Sequence, residues 1–249
     1  MTSSTIIVSM TTWPPRISSA VTAMRNLVSQ GKGLDVHFVL VLSRDEFAQV
    51  PEALRSLGVE IIMDCGNIRS HKKLMPTLER YPDNPVLVVD DDVLRDKGWL
   101  MTFADDHFHH PHDIIYGYAL SRVYFDGEKI VEDSGETRRI FSRPGCASDN
   151  LKPANGSGGT LYPAHTFTDP RFFDRDLYMQ LSPTSDETWQ FAFAKIEKRK
   201  FRCLSAHNYP IALHASNQYC ALYNTNKDIY TDIHNRIAAK IPEYVETLI

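Results

Sequence analysis

The sequence predicts an α/β fold with a mostly parallel, helix-covered sheet, and three observations predict it. Short, near-continuous apolar runs such as residues 37–42 (His-Phe-Val-Leu-Val-Leu) recur through the first half. Segments with helical spacing alternate with them. One apolar run, Val86–Val89, passes directly into Asp90-Asp91-Asp92. A strand that is apolar on both faces belongs between two helical layers, which is the setting of a parallel sheet. Ligands of such sheets gather at the carboxyl ends of the strands, where the acidic triplet stands.

The elements follow in order. Ile6-Ile7-Val8 opens the first strand, and residues 17–28 carry helical spacing at Ile17, Val21, Met24 and Val28. After the strand at 37–42, residues 51–57 suit a short helix with proline in its first turn. Val59-Glu60-Ile61-Ile62-Met63 reads as a third strand. Leu74, Leu78 and Tyr81 mark a helix that Ser70 could cap, although Pro76 is comfortable only in a first turn. These elements form a Rossmann-like nucleotide-binding half over about residues 1–95. Residues 96–249 are less regular. Residues 114–123 and Lys129-Ile130-Val131 read as strands, and residues 134–157 as a polar, glycine-containing mobile loop. Residues 184–194 form a helix capped by Ser185, with Asp186 and Glu187 in its first turn, where carboxylates suit the helix dipole. Residues 226–241 are amphipathic, with Ile229, Ile233, Ile237 and Ile241 on one face. No repeat or linker divides the 249 residues, so one domain is expected.

The composition is that of an ordinary globular chain, 43% apolar and 23% charged. A net charge of −4 gives no general attraction to nucleic acid or anionic membrane, so an anionic ligand needs a local basic or metal site. Cys65, Cys146, Cys203 and Cys220 form no CxxC pair and read as free thiols of a reducing compartment, with two disulfides as the alternative. The apolar run near the N-terminus is too short for a signal peptide, and no stretch reaches the length of a membrane span. The expected location is cytoplasmic.

Several constellations carry chemistry. Three adjacent carboxylates at a buried strand's end repel one another unless a cation or solvent intervenes. Alternate aspartates there can hold Mg²⁺ or Mn²⁺ with substrate phosphates as co-ligands, and the plain alternative is a solvated acidic turn. Lys72 and Lys73 beside a helix start could bind a diphosphate, or be surface lysines. In Asn155-Gly156-Ser157-Gly158-Gly159-Thr160, the glycines let backbone approach a ligand, and no P-loop ending follows. Asp186-Glu187 could supply a general base, with Trp189 offering a face to a sugar ring, or serve as helix-terminal acids. His107, His109, His110 and His112 lack metal-ligand spacing. His207 or His214 could complete a metal shell.

Five segments in order resemble a known group: Val8-Ser9-Met10-Thr11-Thr12-Trp13-Pro14-Pro15-Arg16, Ser70-His71-Lys72-Lys73-Leu74, Val88-Val89-Asp90-Asp91-Asp92-Val93, Gly158-Gly159-Thr160-Leu161-Tyr162-Pro163 and Asp186-Glu187-Thr188-Trp189. Together they resemble bacterial GT-A-fold glycosyltransferases of the capsule or lipopolysaccharide biosynthesis type. The resemblance implies a DxD motif with Asp90 and Asp92 as metal ligands, and His214 is the candidate read from the sequence to complete the shell. It implies a nucleoside-diphosphate sugar donor, UDP-linked, whose base is contacted by Thr11, Thr12 and Arg16; Lys72, Lys73, Asp91, Gly158 and Gly159 are the further candidate donor contacts. It further implies a hexosyltransferase-like, inverting reaction in which Asp186 or Glu187 deprotonates an acceptor hydroxyl. A retaining reaction would need no such base. The acceptor implied is a glycan or lipid-linked glycan, which would bring the protein to the inner face of the membrane. The alternative is an inactive sugar- or nucleotide-binding module of the same fold. Other nucleotide chemistries lack their marks: there is no glycine-rich basic loop and no nucleophilic aspartate after the first strand, and no Gly-Lys-Ser/Thr loop.

Overall fold

The computed structural model describes residues 5–133, 150–204, 211–212 and 229–249. Its centre is a seven-stranded sheet made of β1 (Ile6–Thr11), β2 (Val36–Ser43), β3 (Glu60–Cys65), β4 (Val86–Val89), β6 (Ile114–Tyr116), β10 (Thr160–Tyr162) and β11 (Phe201–Cys203). The spatial order is β11-β6-β10-β4-β1-β2-β3. The pairs β1–β2, β2–β3, β1–β4 and β6–β11 are parallel, whereas β10 runs antiparallel to both β4 and β6. The mostly parallel α/β architecture expected from the sequence is therefore present.

The strands are apolar on both faces because each face meets a helical layer. Val8, Met10, Leu40, Leu42, Leu87 and Val89 point to a core filled by α1 (Ile17–Gln30) and α4 (Trp99–His109). Ile7, Val39, Val41, Val86 and Val88 point to the other, which includes Leu74 and Leu78, Trp189 and Phe193 of α7 (Asp186–Ile196), and Ile233 and Ile237 of α8 (Tyr230–Lys240). In α1 the buried stripe is Ser19, Ala20, Ala23, Met24 and Leu27; Ile17 and Val21 are partly buried against the same core, while Val28 is 37% exposed. The small alanines let this helix sit close to the sheet, so its inner face is rotated from the one the larger side chains suggested.

Pro76 settles the helix at residues 74–81. The chain makes a 3-10 turn at Arg69–Lys73, and α3 (Met75–Arg80) starts afresh with the proline in its first turn. Ser70 does not cap it. Residues 51–57 supply the short α2 (Glu52–Arg55).

The second half departs from expectation in two places. Residues 114–123 do not form one strand: β6 ends at Tyr116 and β7 (Ala119–Phe125) starts a separate three-stranded sheet with β8 (Ile130–Asp133) and β9 (Leu151–Pro153), in the order β8-β7-β9. The stretch 134–157 is also not all loop, since β9 and the turn α5 (Asn155–Gly158) lie within it. Residues 134–149 lie outside the described residues, as do Cys146, His207, His214 and Cys220. Two short strands, β5 (Val93–Leu94) and β12 (Ile211–Ala212), pair antiparallel just beyond the acidic triplet. The helix α6 (Arg175–Leu181) and the terminal turn α9 (Glu243–Glu246) complete the chain. Among the described residues, no helix is long and apolar enough to cross a membrane. Cys65 and Cys203 are free thiols.

Candidate active site at the carboxyl ends of β1 and β4

Register places the site. Met10 of β1 lies opposite Val89 of β4, so the residues that follow, Thr12 and the acidic triplet, leave the sheet side by side. Asp91 turns inward. Its carboxylate accepts a hydrogen bond from Thr12 Oγ1 at 2.6 Å and pairs with Arg16 Nη1 at 3.1 Å. Burial pushes the Asp91 carboxyl up to about 6, against the opposing pull of Arg16 and Thr12. Asp92 pairs with Nη2 of the same guanidinium. Arg16, placed by the 3-10 turn Pro14–Arg16 at the mouth of β1, thus straddles two aspartates. Thr11 directs its hydroxyl to Val41 O of β2 at 2.8 Å.

Asp90 faces the other way and is the most open of the three, its side chain 31% exposed. Its Oδ1 pairs with Lys73 Nζ at 2.9 Å, and the same ammonium lies 3.6 Å from Asp186 Oδ2. Lys73 is a buried cation between the end of β4 and the start of α7. Burial would depress its ammonium, but Asp186 and Asp90 outweigh that and raise it. Its backbone is fixed by Ser9 of β1, whose hydroxyl donates to Lys73 O at 2.5 Å and also meets Thr77 Oγ1 at 2.8 Å. Ser9 is polar within an apolar strand because the 3-10 turn packs against it there. Lys72 is also buried and pairs with Glu46, so neither lysine is a surface lysine.

At α7, Ser185 caps the helix by accepting from Thr188 N. Asp186 is buried beneath Lys73. Burial raises its carboxyl, but Lys73 and then His71 hold it below the usual carboxylate range. Glu187, its side chain 17% exposed, lies 3.8 Å from Lys152 Nζ. Burial, reinforced by Asp186, lifts it to about 7 despite Lys152. Trp189 offers no face to a ligand: it is fully buried, donates Nε1–H to Phe172 O at 3.0 Å and packs on Phe193.

The glycine cluster divides its work. A Cβ on Gly156 would sit 1.7 Å from Asp90 Oδ1, and Gly156 O accepts from Asp90 N at 3.0 Å and from Arg95 Nη2 at 2.6 Å. Gly158 and Gly159 serve packing. Gly158 lies against Tyr118, and Gly159, at φ +78°, leaves no room for a Cβ beside Trp99. The residue that meets the acidic strand end is therefore Gly156, which the sequence did not single out. Arg95 is buried over the Trp99 ring at 4.7 Å, and burial lowers it to about 10. It was missed because a single arginine after a strand carries no motif.

A divalent cation requires hard oxygen donors with room for phosphate co-ligands. Among the described residues, the side-chain contacts of Asp90 fall on Oδ1, which leaves Oδ2 for such a cation. Asp92 pairs with Arg16. Asp90 and Asp92 are hard oxygen donors just past the end of β4, whereas Asp91 is turned inward onto Thr12 and Arg16. No group of three or more metal-type side chains occurs among the described residues, so the rest of a shell would come from substrate and solvent or from His214.

No family model matches the chain, and no curated protein matches it. Among solved structures, S. aureus TarS superposes with a TM-score of 0.54 at 16% identity, covering 88% of this chain and 38% of TarS. The chain has the fold of TarS. A TarS fragment spanning residues 1-349 gives a TM-score of 0.53 at 17% identity over 96% of this chain and 73% of the fragment. The same TarS fragment in complex with UDP gives 0.52 at 17% identity, covering 94% of this chain and 72% of the fragment. This chain therefore spans well under half of the full TarS structure and most of its 1-349 fragment.

Proposed function

We propose that this chain is a metal-dependent glycosyltransferase that moves a sugar from a UDP-linked donor to a hydroxyl of a bacterial surface glycan, of the capsule or lipopolysaccharide type. The observation that carries the reading is Lys73, which ties Asp90 at the end of β4 to Asp186 at the start of α7. In this reading it would bring a donor-side and an acceptor-side carboxylate into one site. A fold shared with a protein crystallised with UDP supports the nucleotide.

In this reading Asp90 and Asp92 hold Mn²⁺ or Mg²⁺, with His214 as the candidate third protein ligand. The bound metal would neutralise charge building on the leaving diphosphate. Arg16, paired with Asp91 and Asp92, and Lys73, paired with Asp90, would supply further positive charge. Thr11 and Thr12 stand at the end of β1, and the nucleotide would lie beside them. Of the two acidic residues on α7, Glu187 is the better base. Its proton is held near neutrality, where a base both accepts and releases readily, whereas Asp186 is committed to Lys73. A base fits an inverting reaction. The acceptor, a glycan or lipid-linked glycan, would approach from the α7 side and hold the protein at the inner face of the membrane.

The reading is tested by calorimetric titration of UDP into the purified chain with and without Mn²⁺. Binding that tightens with Mn²⁺ and loses that gain in Asp92→Asn is the expected result. Equal affinity for UDP with and without metal would remove the metal from the account, and no binding of any nucleoside diphosphate would remove the function.

A further inference from the structure

Behind α7 lies a second buried polar cluster that the proposed chemistry does not use. Lys152 of β9 is fully buried. Its ammonium pairs with Glu132 Oε1 of β8 at 2.8 Å, donates to Thr188 Oγ1 at 3.2 Å and sits 4.0 Å from the centre of the Tyr230 ring. The other Glu132 oxygen meets His234 Nε2 of α8 at 2.9 Å, and His234 Nδ1 meets Tyr244 OH at 2.7 Å. Ser121 Oγ donates to Glu132 at 2.6 Å. Glu187 lies 3.8 Å from the same ammonium, within ion-pair reach but beyond a hydrogen bond.

Burying an ammonium, a carboxylate and an imidazole together is costly unless their partners are held in place, and a hydrophobic cluster of the same volume would serve packing equally well. This cluster instead ends on the one acidic side chain of α7 that Lys73 does not claim. We infer that Lys152 is a positioning residue for Glu187: a buried ammonium shared between Glu132 and Glu187 that ties helix α8 to the acceptor-side carboxylate. This rests on the glycosyltransferase reading for its purpose, though not for its measurement.

The charged groups around Glu187 come from four elements: Asp186 on its own helix, Lys73 on the 3-10 turn, Lys152 on β9 and Glu132 on β8. Glu132 wins the ammonium. Despite burial, which raises it, Lys152 and His234 bring its carboxyl down to about 2. Glu187 receives the remainder of that field and keeps its proton to about 7. The competition gives opposite signs for two variants. In Glu132→Gln the ammonium is released toward Glu187, whose titration midpoint falls. In the double variant Glu132→Gln/Lys152→Met neither charge is left behind α7, and the midpoint rises above that of the wild type.

The test is a carbon-13 carboxyl titration of Glu187, assigned by its loss in Glu187→Gln, beside the pH profile of transfer. The midpoint should fall by roughly one pH unit or more in Glu132→Gln and rise in the double variant. The rate profile should move with it. Thermal melts check that both variants are folded, and Lys152→Arg, which keeps the cation, should keep the wild-type midpoint. A midpoint unmoved in both folded variants overturns the inference and makes the cluster a packing device. The titration needs no turnover, so an inactive wild type would sink the proposed function while leaving this inference separately decided.

Discussion

Replacing Lys73 with methionine keeps most of the side chain's length and removes only its ammonium. Two carboxylates then face each other without their shared partner, Asp90 at 2.9 Å and Asp186 at 3.6 Å from the lost nitrogen. Asp186 is almost completely buried, so the penalty is that of an uncompensated interior charge, about 3–5 kcal/mol. For a chain of this size, that loss lowers the melting temperature by roughly 6–20 °C. The pH dependence identifies the cause. Lys73 holds the Asp186 carboxyl below its ordinary value, so the stability it contributes is present above about pH 4 and is lost as pH falls through the folded value. The deficit of Lys73→Met should therefore be full at pH 7 and shrink on acidification, as Asp186 takes up a proton. Urea unfolding followed by circular dichroism at pH 7 and at pH 3.5 measures both. A deficit below about 1 kcal/mol at pH 7, or one of equal size at both pH values, would refute the charge bridge.

Three further outcomes follow from the same geometry. Gly156→Ala places a Cβ against Asp90 Oδ1, and should cost about 1–3 kcal/mol of stability and displace the aspartate, read by melting and by Mn²⁺ affinity. Asp186→Asn and Glu187→Gln should keep donor binding, and Glu187→Gln should lower transfer by roughly 10²–10⁴-fold, measured as transfer rate beside donor affinity. Near wild-type rates in both variants would make these carboxylates helix-terminal acids alone. Glu187 also sets a pH slope: its folded value is raised, so wild-type stability declines as pH climbs from about 4.5 through about 7. Glu187→Gln should remove that decline, gaining up to about 3 kcal/mol at pH 8 and nothing near pH 4 in paired unfolding curves.

What the sequence revealed and what it hid have physical reasons. The central strands were legible because a strand buried on both faces leaves an unbroken apolar run, as at Val86–Val89. The start of α7 was legible because capping uses Ser185 and acids in a fixed order. The rotated face of α1 was not, since alanines close to a sheet look neutral in a hydrophobicity pattern. Gly156 was hidden because the need for glycine comes from Asp90, 66 residues away in the chain. Lys73 was noticed as a diphosphate ligand, yet its bridging position depends on Ser9 and on the packing of three separate elements. The Lys152 cluster gave no signal at all, because Glu132, Lys152, Thr188 and His234 meet only after β8, β9, α7 and α8 have packed.

In the proposed function one site joins a metal-held nucleotide-sugar to an acceptor-side carboxylate. Its most direct measurement is release of UDP from UDP-sugars by the purified chain, with Mn²⁺ and with chelator, in the wild type and in Asp92→Asn. The expected result is Mn²⁺-dependent release by the wild type, abolished by chelator and by Asp92→Asn with the fold intact. Full activity in Asp92→Asn, or UDP binding without release for every sugar and metal, would contradict it.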